Sequence, residues 1–86
     1  MIIGKVVGSV VSTNKCENLI GSKFMIVEPI PSLKVDNRIV AVDKVGAGIG
    51  ELVLVAQGSA ARIGCGDERA PIDAAIVGII DEGQGL

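Results

Sequence analysis

Ala41-Val-Asp-Lys-Val-Gly-Ala-Gly-Ile-Gly-Glu-Leu-Val-Leu-Val-Ala-Gln-Gly-Ser-Ala-Ala-Arg62 decides the fold. It reads strand, glycine loop, strand, turn, with no helix between the strands. A dinucleotide-binding loop needs its glycines to open a helix, whose N-terminus holds the pyrophosphate. Here Gly46, Gly48 and Gly50 are spaced G-x-G-x-G, not G-x-G-x-x-G, and the next residues, Glu51 to Gln57, are apolar and β-branched. That composition belongs to a strand. The loop therefore joins two strands, and its role lies in backbone packing rather than phosphate binding.

Three further strands are expected on either side of this unit. Ile2 to Ser12 reads as a long first strand carrying Gly4 and Gly8, the kind of glycine that marks a bulge or a barrel corner. Lys23 to Glu28 follows, closed by Pro29 and Pro31. Arg38 to Asp43 and Glu51 to Gln57 flank the glycine loop. Ala74 to Ile80 is the last strand, ended by Asp81-Glu82-Gly83. Ser59-Ala-Ala-Arg62 suits one helical turn with Ser59 as its N-cap. The intervening segments 13–21, 29–37 and 64–71 are rich in turn residues. Five short strands without a long helix predict an all-β protein, and closure into a barrel removes exposed edges. The expected architecture is a small five-stranded OB-like barrel with at most one short helical turn, a single domain over residues 1–86.

Composition narrows the function. The 86 residues carry a net charge of −2, and the eight basic residues are scattered. Nucleic acids and anionic membranes attract clustered Lys and Arg. Single-strand binders also need aromatic platforms, and Phe24 is the one aromatic residue. The apolar start, Met1 to Val11, lacks the basic region and cleavage site of a secretory signal. No apolar run approaches the length of a membrane helix. The expectation is a soluble cytoplasmic protein, with Cys16 and Cys65 as free thiols in loops.

Catalytic chemistry finds little material. The chain has no His, which removes Ser-His and Cys-His pairs. Two isolated cysteines lack the paired spacing of a zinc site. Asp43 and Glu51 flank the glycine loop, and a carboxylate pair brought together across it would suit acid–base work; the preferred reading makes each a solvated strand end or an acceptor between subunits. No cofactor or metal is expected. Against this stands an apolar excess: 49% of residues are hydrophobic and the mean hydropathy is +0.58. A core this small, built from Val, Ile, Leu and Ala, gains from burying surface against further copies of itself.

Four blocks carry a resemblance. Gly4-Lys-Val-Val-Gly-Ser-Val-Val-Ser-Thr-Asn-Lys15, Ala41-Val-Asp-Lys-Val-Gly-Ala-Gly-Ile-Gly-Glu51, Val55-Ala-Gln-Gly-Ser-Ala-Ala-Arg62 and Pro71-Ile-Asp-Ala-Ala-Ile-Val-Gly-Ile-Ile-Asp81 resemble the EutN/CcmL family of bacterial microcompartment vertex proteins. The match spans nearly the whole chain, in order and at the same spacing. It implies an OB-like barrel that assembles as a homopentamer, caps the vertices of carboxysome-like shells and packs against hexameric shell tiles. A heterologous contact that closes after five copies is then required.

The same resemblance supplies site residues. Gly46, Ala47, Gly48, Gly50 and Glu51 are expected near the five-fold axis and its narrow opening. Arg62, following Ser59, is expected to pair with Asp43 or Asp73 across an interface, as a guanidinium does with a carboxylate. Asn14 departs from the family, where many relatives carry Arg, and the loop 64–70 has no clear counterpart. Two other functions stay open at this point: a pentamer acting mainly as a metabolite pore, and an OB-like ligand-binding module outside any shell.

Overall fold

A computed structural model describes residues 1–12, 16–34, 37–66, 69 and 71–81. Asn14, part of the loop 64–70 and the Glu82-Gly83 strand stop lie outside the described residues. Five strands, β1 (Ile2–Val10), β2 (Lys23–Pro29), β3 (Ile39–Asp43), β4 (Leu52–Gln57) and β5 (Ala74–Ile79), close into a barrel in the order β1-β2-β3-β5-β4. One helix, α1 (Ser59–Cys65), lies between β4 and β5, and short 3-10 turns occupy Glu17–Leu19 and Pro31–Leu33.

The long first strand makes closure possible. Ile2 to Lys5 pair with β4, while Gly4 to Val10 pair with β2. Register shifts after Val6, where Val6 faces Val27 but Gly8 faces Ile26. Val7 is the extra residue of a β-bulge, which bends the strand from one wall of the barrel to the next. Gly4 serves a different purpose. A Cβ there would fall on Val27 Cγ1 and come within 2.8 Å of the Glu28 carbonyl oxygen, so β1 and β2 approach closely because residue 4 has no side chain. The barrel closes through a parallel contact limited to Val42 beside Ala75 and Asp43 beside Ile76.

Alternate residues of each strand fill the interior. Val6, Met25, Val27, Ala41, Val53, Val55, Ala74 and Ile76 form one buried cluster, joined by Ala47 from the glycine loop. The helix sits on β4 and β5. Small residues allow this: Ala61 is fully buried, and a Cβ on Gly64 would lie 2.8 Å from Val77 Cγ1.

Three expectations need correction. The helix extends to Cys65, three residues past the expected turn, so Cys65 is helical rather than in a loop. Its N-cap is Gly58, at φ 65° and ψ −140°, not Ser59. The first strand stops at Val10, two residues short of Ser12, where the β1–β2 ladder ends with Val10 opposite Phe24.

Candidate functional site

The glycine loop is a rigid plug. Asp43 ends β3 with its side chain fully buried. Its Oδ1 accepts hydrogen bonds from the amides of Val45 (2.9 Å) and Gly46 (3.0 Å), and its Oδ2 from the amide of Ala47 (2.9 Å). An aspartate before a turn does this readily, because its short carboxylate reaches the amides two to four residues on. The result carries Ala47 into the core, where it is 2% exposed. Lys23 Nζ lies 3.7 Å from Oδ2, a cation beside a carboxylate already held by three donors.

The second half of the loop is fixed from the other side. Gly48 donates to Glu51 Oε1 at 2.6 Å, and Glu51 returns its amide to the Gly48 carbonyl at 3.2 Å. Gly50 donates to the Val6 carbonyl (2.8 Å) and Val6 to the Glu51 carbonyl (3.0 Å). These two bonds continue the β1–β4 ladder past Lys5 and Leu52. Gly46 and Gly50 have φ of 84° and 94°, a region that costs other residues roughly 1–2 kcal/mol. Gly48 does not share it. The apolar side chains of Val45 and Ile49 are left outside, 43% and 68% exposed.

This geometry corrects the reading of the carboxylates. Asp43 is not a solvated strand end. It does not pair with Glu51 either, since each carboxylate binds a separate part of the loop backbone. Among the described residues no three His, Cys, Asp or Glu side chains converge as a metal site would require. The loop's amides are held by Asp43, Glu51 and Val6, and it presents Lys44, Val45, Ile49 and Glu51 outward.

A second cluster forms around α1. The Gly58 amide donates to the Asp73 carbonyl (2.8 Å), and Arg62 Nη1 to the Ile72 carbonyl (3.1 Å). Both bonds strap the helix to the segment that leads into β5. Arg62 is thus tied within its own chain, and Asp43, buried and engaged, is not open to it. Ser59 and Asp73 are exposed. The two clusters meet at a small groove of about 80 Å³, whose lining includes Lys44, Cys65 and Ile72. Sequence reasoning missed Val6 as the loop's anchor and Gly58 as the helix cap. A glycine just ahead of Ser59 was the available signal for the latter.

Comparison with known proteins settles the family. The model of the family described as ethanolamine utilisation protein EutN/carboxysome matches residues 1–81. The microcompartment shell vertex protein GrpN of Rhodospirillum rubrum is 47% identical, over 94% of this chain and 93% of that protein. The carboxysome shell vertex protein CcmL of Gloeobacter violaceus is 43% identical, over 94% and 83%. The solved structure of GrpN, a pentameric microcompartment shell protein, superposes with a TM-score of 0.85 at 43% identity and covers all of both chains. No helix among the described residues is long and apolar enough to cross a membrane. The barrel, its plugged mouth and these relatives together make this chain a member of the EutN/CcmL family of microcompartment shell vertex proteins.

Proposed function

We propose that five copies of this chain close into a ring that caps a vertex of a microcompartment shell and packs against hexameric shell tiles. Hexagonal tiles make flat sheets, and five-fold units at the corners supply the curvature that closes them. The observation that carries the reading is the full-length superposition on a pentameric shell protein. The chemistry agrees with it: the carboxylates of the glycine loop are engaged with its own amides, and the outward residues Val45 and Ile49 suit packing. A ligand-binding module outside a shell is not favoured, because the relatives are shell vertex proteins.

Within the ring, Gly46 to Glu51 are assigned to the axial end, with Asp43 as their internal brace. Ser59, Arg62 and Asp73 are assigned to the subunit boundary. Scattered basic residues and a net charge of −2 give nucleic acid and anionic membrane no purchase.

Native mass tests the proposal. A closed ring of five 8.8 kDa chains gives about 44 kDa; a stable monomer overturns it. Gly48→Val tests the loop's placement. The one atom near a Cβ at residue 48 is Glu51 Oε1, at 3.3 Å, the end of a flexible side chain. A Cβ there needs only a small shift of that side chain, so loss of the ring by a variant whose circular dichroism shows an unchanged barrel puts the loop at a packed contact. A variant that stays fully assembled removes it from there.

A further inference from the structure

We infer that Cys16 and Cys65 are the two halves of a redox latch: under oxidising conditions they join in a disulfide across the small groove beside α1 and brace the barrel at its shortest ladder. Neither thiol serves the glycine loop or the strap of α1, and both are free. They lie far apart in sequence, yet the fold brings their segments to one place. Cys65 ends α1 and is half-buried in the lining of the groove of about 80 Å³. Asn18, Leu19 and Ile20 line the same groove, and Cys16 is the N-cap residue of the 3-10 turn to which Asn18 and Leu19 belong. The Cys16 carbonyl accepts the Leu19 amide at 2.9 Å, which folds the chain back at that point. Two residues span at most about 7 Å, so Cys16 stands at the rim of the groove that holds Cys65.

The turn is the half that moves. A disulfide needs Cα atoms about 4.4–6.8 Å apart, so closure swings the turn toward α1. No residue of the turn is buried, and no side chain caps it. Its backbone bonds are local: Leu19 to Cys16, Ile20 to Glu17 and Ser22 to Leu19. A swing therefore breaks no strand ladder. The end of α1 stays in place, because the Gly66 amide closes it on the Arg62 and Ile63 carbonyls and Arg62 straps it to Ile72. The groove also reaches Val42 of β3. Val42 beside Ala75 and Asp43 beside Ile76 are all of the β3–β5 ladder, the shortest of the barrel. The turn leads into β2, the antiparallel partner of β3, and α1 leads into β5. A bond between them spans this seam.

The oxidant is a small-molecule disulfide such as oxidised glutathione. One cysteine thiolate attacks it, forming a mixed disulfide, and one glutathione thiolate leaves and takes up a proton. The second cysteine thiolate then attacks the protein sulfur of the mixed disulfide, and the second glutathione leaves in the same way. The protein loses two hydrogens, and the oxidant becomes two thiols. In a reducing compartment the reverse exchange keeps the latch open, with both thiols free as in this structure.

Oxidised glutathione added to the native protein tests the latch. Trypsin cuts after Lys15, Lys23, Arg62 and Arg69, so the thiols fall on separate peptides, 16–23 and 63–69. A bridge appears in mass spectrometry as one linked pair that a reductant splits. The pair should form within single chains, so nitrogen-15-labelled and unlabelled protein refolded together should give no mixed-label pair. Closure should run at least about tenfold faster in the native protein than in urea, where no fold holds the thiols near each other. The bridged protein should melt at least about 5 °C higher, and Cys16→Ala treated in the same way should show no such rise. Two separate glutathione adducts without the pair, mixed-label pairs, closure no faster than in urea, or a bridged protein that melts no higher would each overturn the latch. None of these readouts depends on the number of subunits, so the ring proposed above stands or falls separately.

Discussion

The Ala47 amide donates to Asp43 Oδ2 at 2.9 Å, and through this bond the glycine loop holds its own plug in the barrel. Asp43 acts as a local template, turning the chain between β3 and β4 by collecting three successive amides. Asp43→Ala leaves those donors without an acceptor, the Ala47 amide in a buried position. The expected loss is about 3 kcal/mol, given a cost of 1–3 kcal/mol for each buried unsatisfied group. Asp43→Asn keeps one acceptor oxygen but turns a second donor toward the loop, with an expected loss of about 2 kcal/mol. Urea unfolding measures both. A midpoint unchanged by Asp43→Ala would show that the loop is held by other contacts.

Gly4 and Gly78 should separate under alanine substitution. At Gly4 the added methyl meets Val27 and a backbone carbonyl, which cannot swing aside. The strands must part, at an expected cost of about 1–3 kcal/mol. At Gly78 the methyl meets ordinary contact distances, and the change in subunit stability should stay within about 1 kcal/mol. Thermal unfolding of the two variants under conditions that keep the subunit monomeric tests the contrast, and equal shifts would refute it.

The start of α1 offers a sharper reversal. The sequence nominates Ser59 as the cap, yet no side-chain capping bond is made. Ser59→Ala should therefore move stability by no more than about 0.5 kcal/mol. Gly58, at φ 65° and ψ −140°, occupies backbone space close to glycine-only territory, so Gly58→Ala should cost about 1–3 kcal/mol. A larger loss at Ser59 than at Gly58 would restore the sequence reading.

Arg62 has one internal task, the 3.1 Å bond to the Ile72 carbonyl. Arg62→Ala should lower the stability of the single subunit by about 1 kcal/mol, a charge-assisted bond reduced by partial solvent exposure. Comparing denaturation of the subunit with dissociation of the ring on dilution separates this role from one at the boundary. If dissociation is unchanged while the subunit weakens, Arg62 is a strap and nothing more.

Much of the barrel was legible. Short apolar runs between Gly, Pro and Asn clusters located all five strands within one or two residues at each end, because strand burial writes itself into local pattern. The helix was harder. Gly64 is a poor helix residue, so the run after Arg62 reads as loop, but the absent side chain lets α1 lie against Val77. The propensity rule lost to packing there, and at Gly58 to backbone conformation, a φ of 65° with no neighbour near a Cβ.

The sequence by itself determined the class of fold, the strand-to-strand setting of the glycine loop, the absence of His and the family. These depend on composition, spacing and order along the chain, which local physics can read. Tertiary structure alone decided what each group touches. It turned Asp43 from a candidate interface acceptor into a buried brace and tied Arg62 to Ile72. It also sorted the glycines, separating Gly4 and Gly64, where a Cβ would collide with a neighbour, from Gly8 and Gly78, which flank register shifts. The reason is that contacts in a closed barrel join residues far apart in sequence, with registers set by shifts at Val7 in β1 and between Leu54 and Val55 against β5, and no local pattern states which residue a side chain will meet.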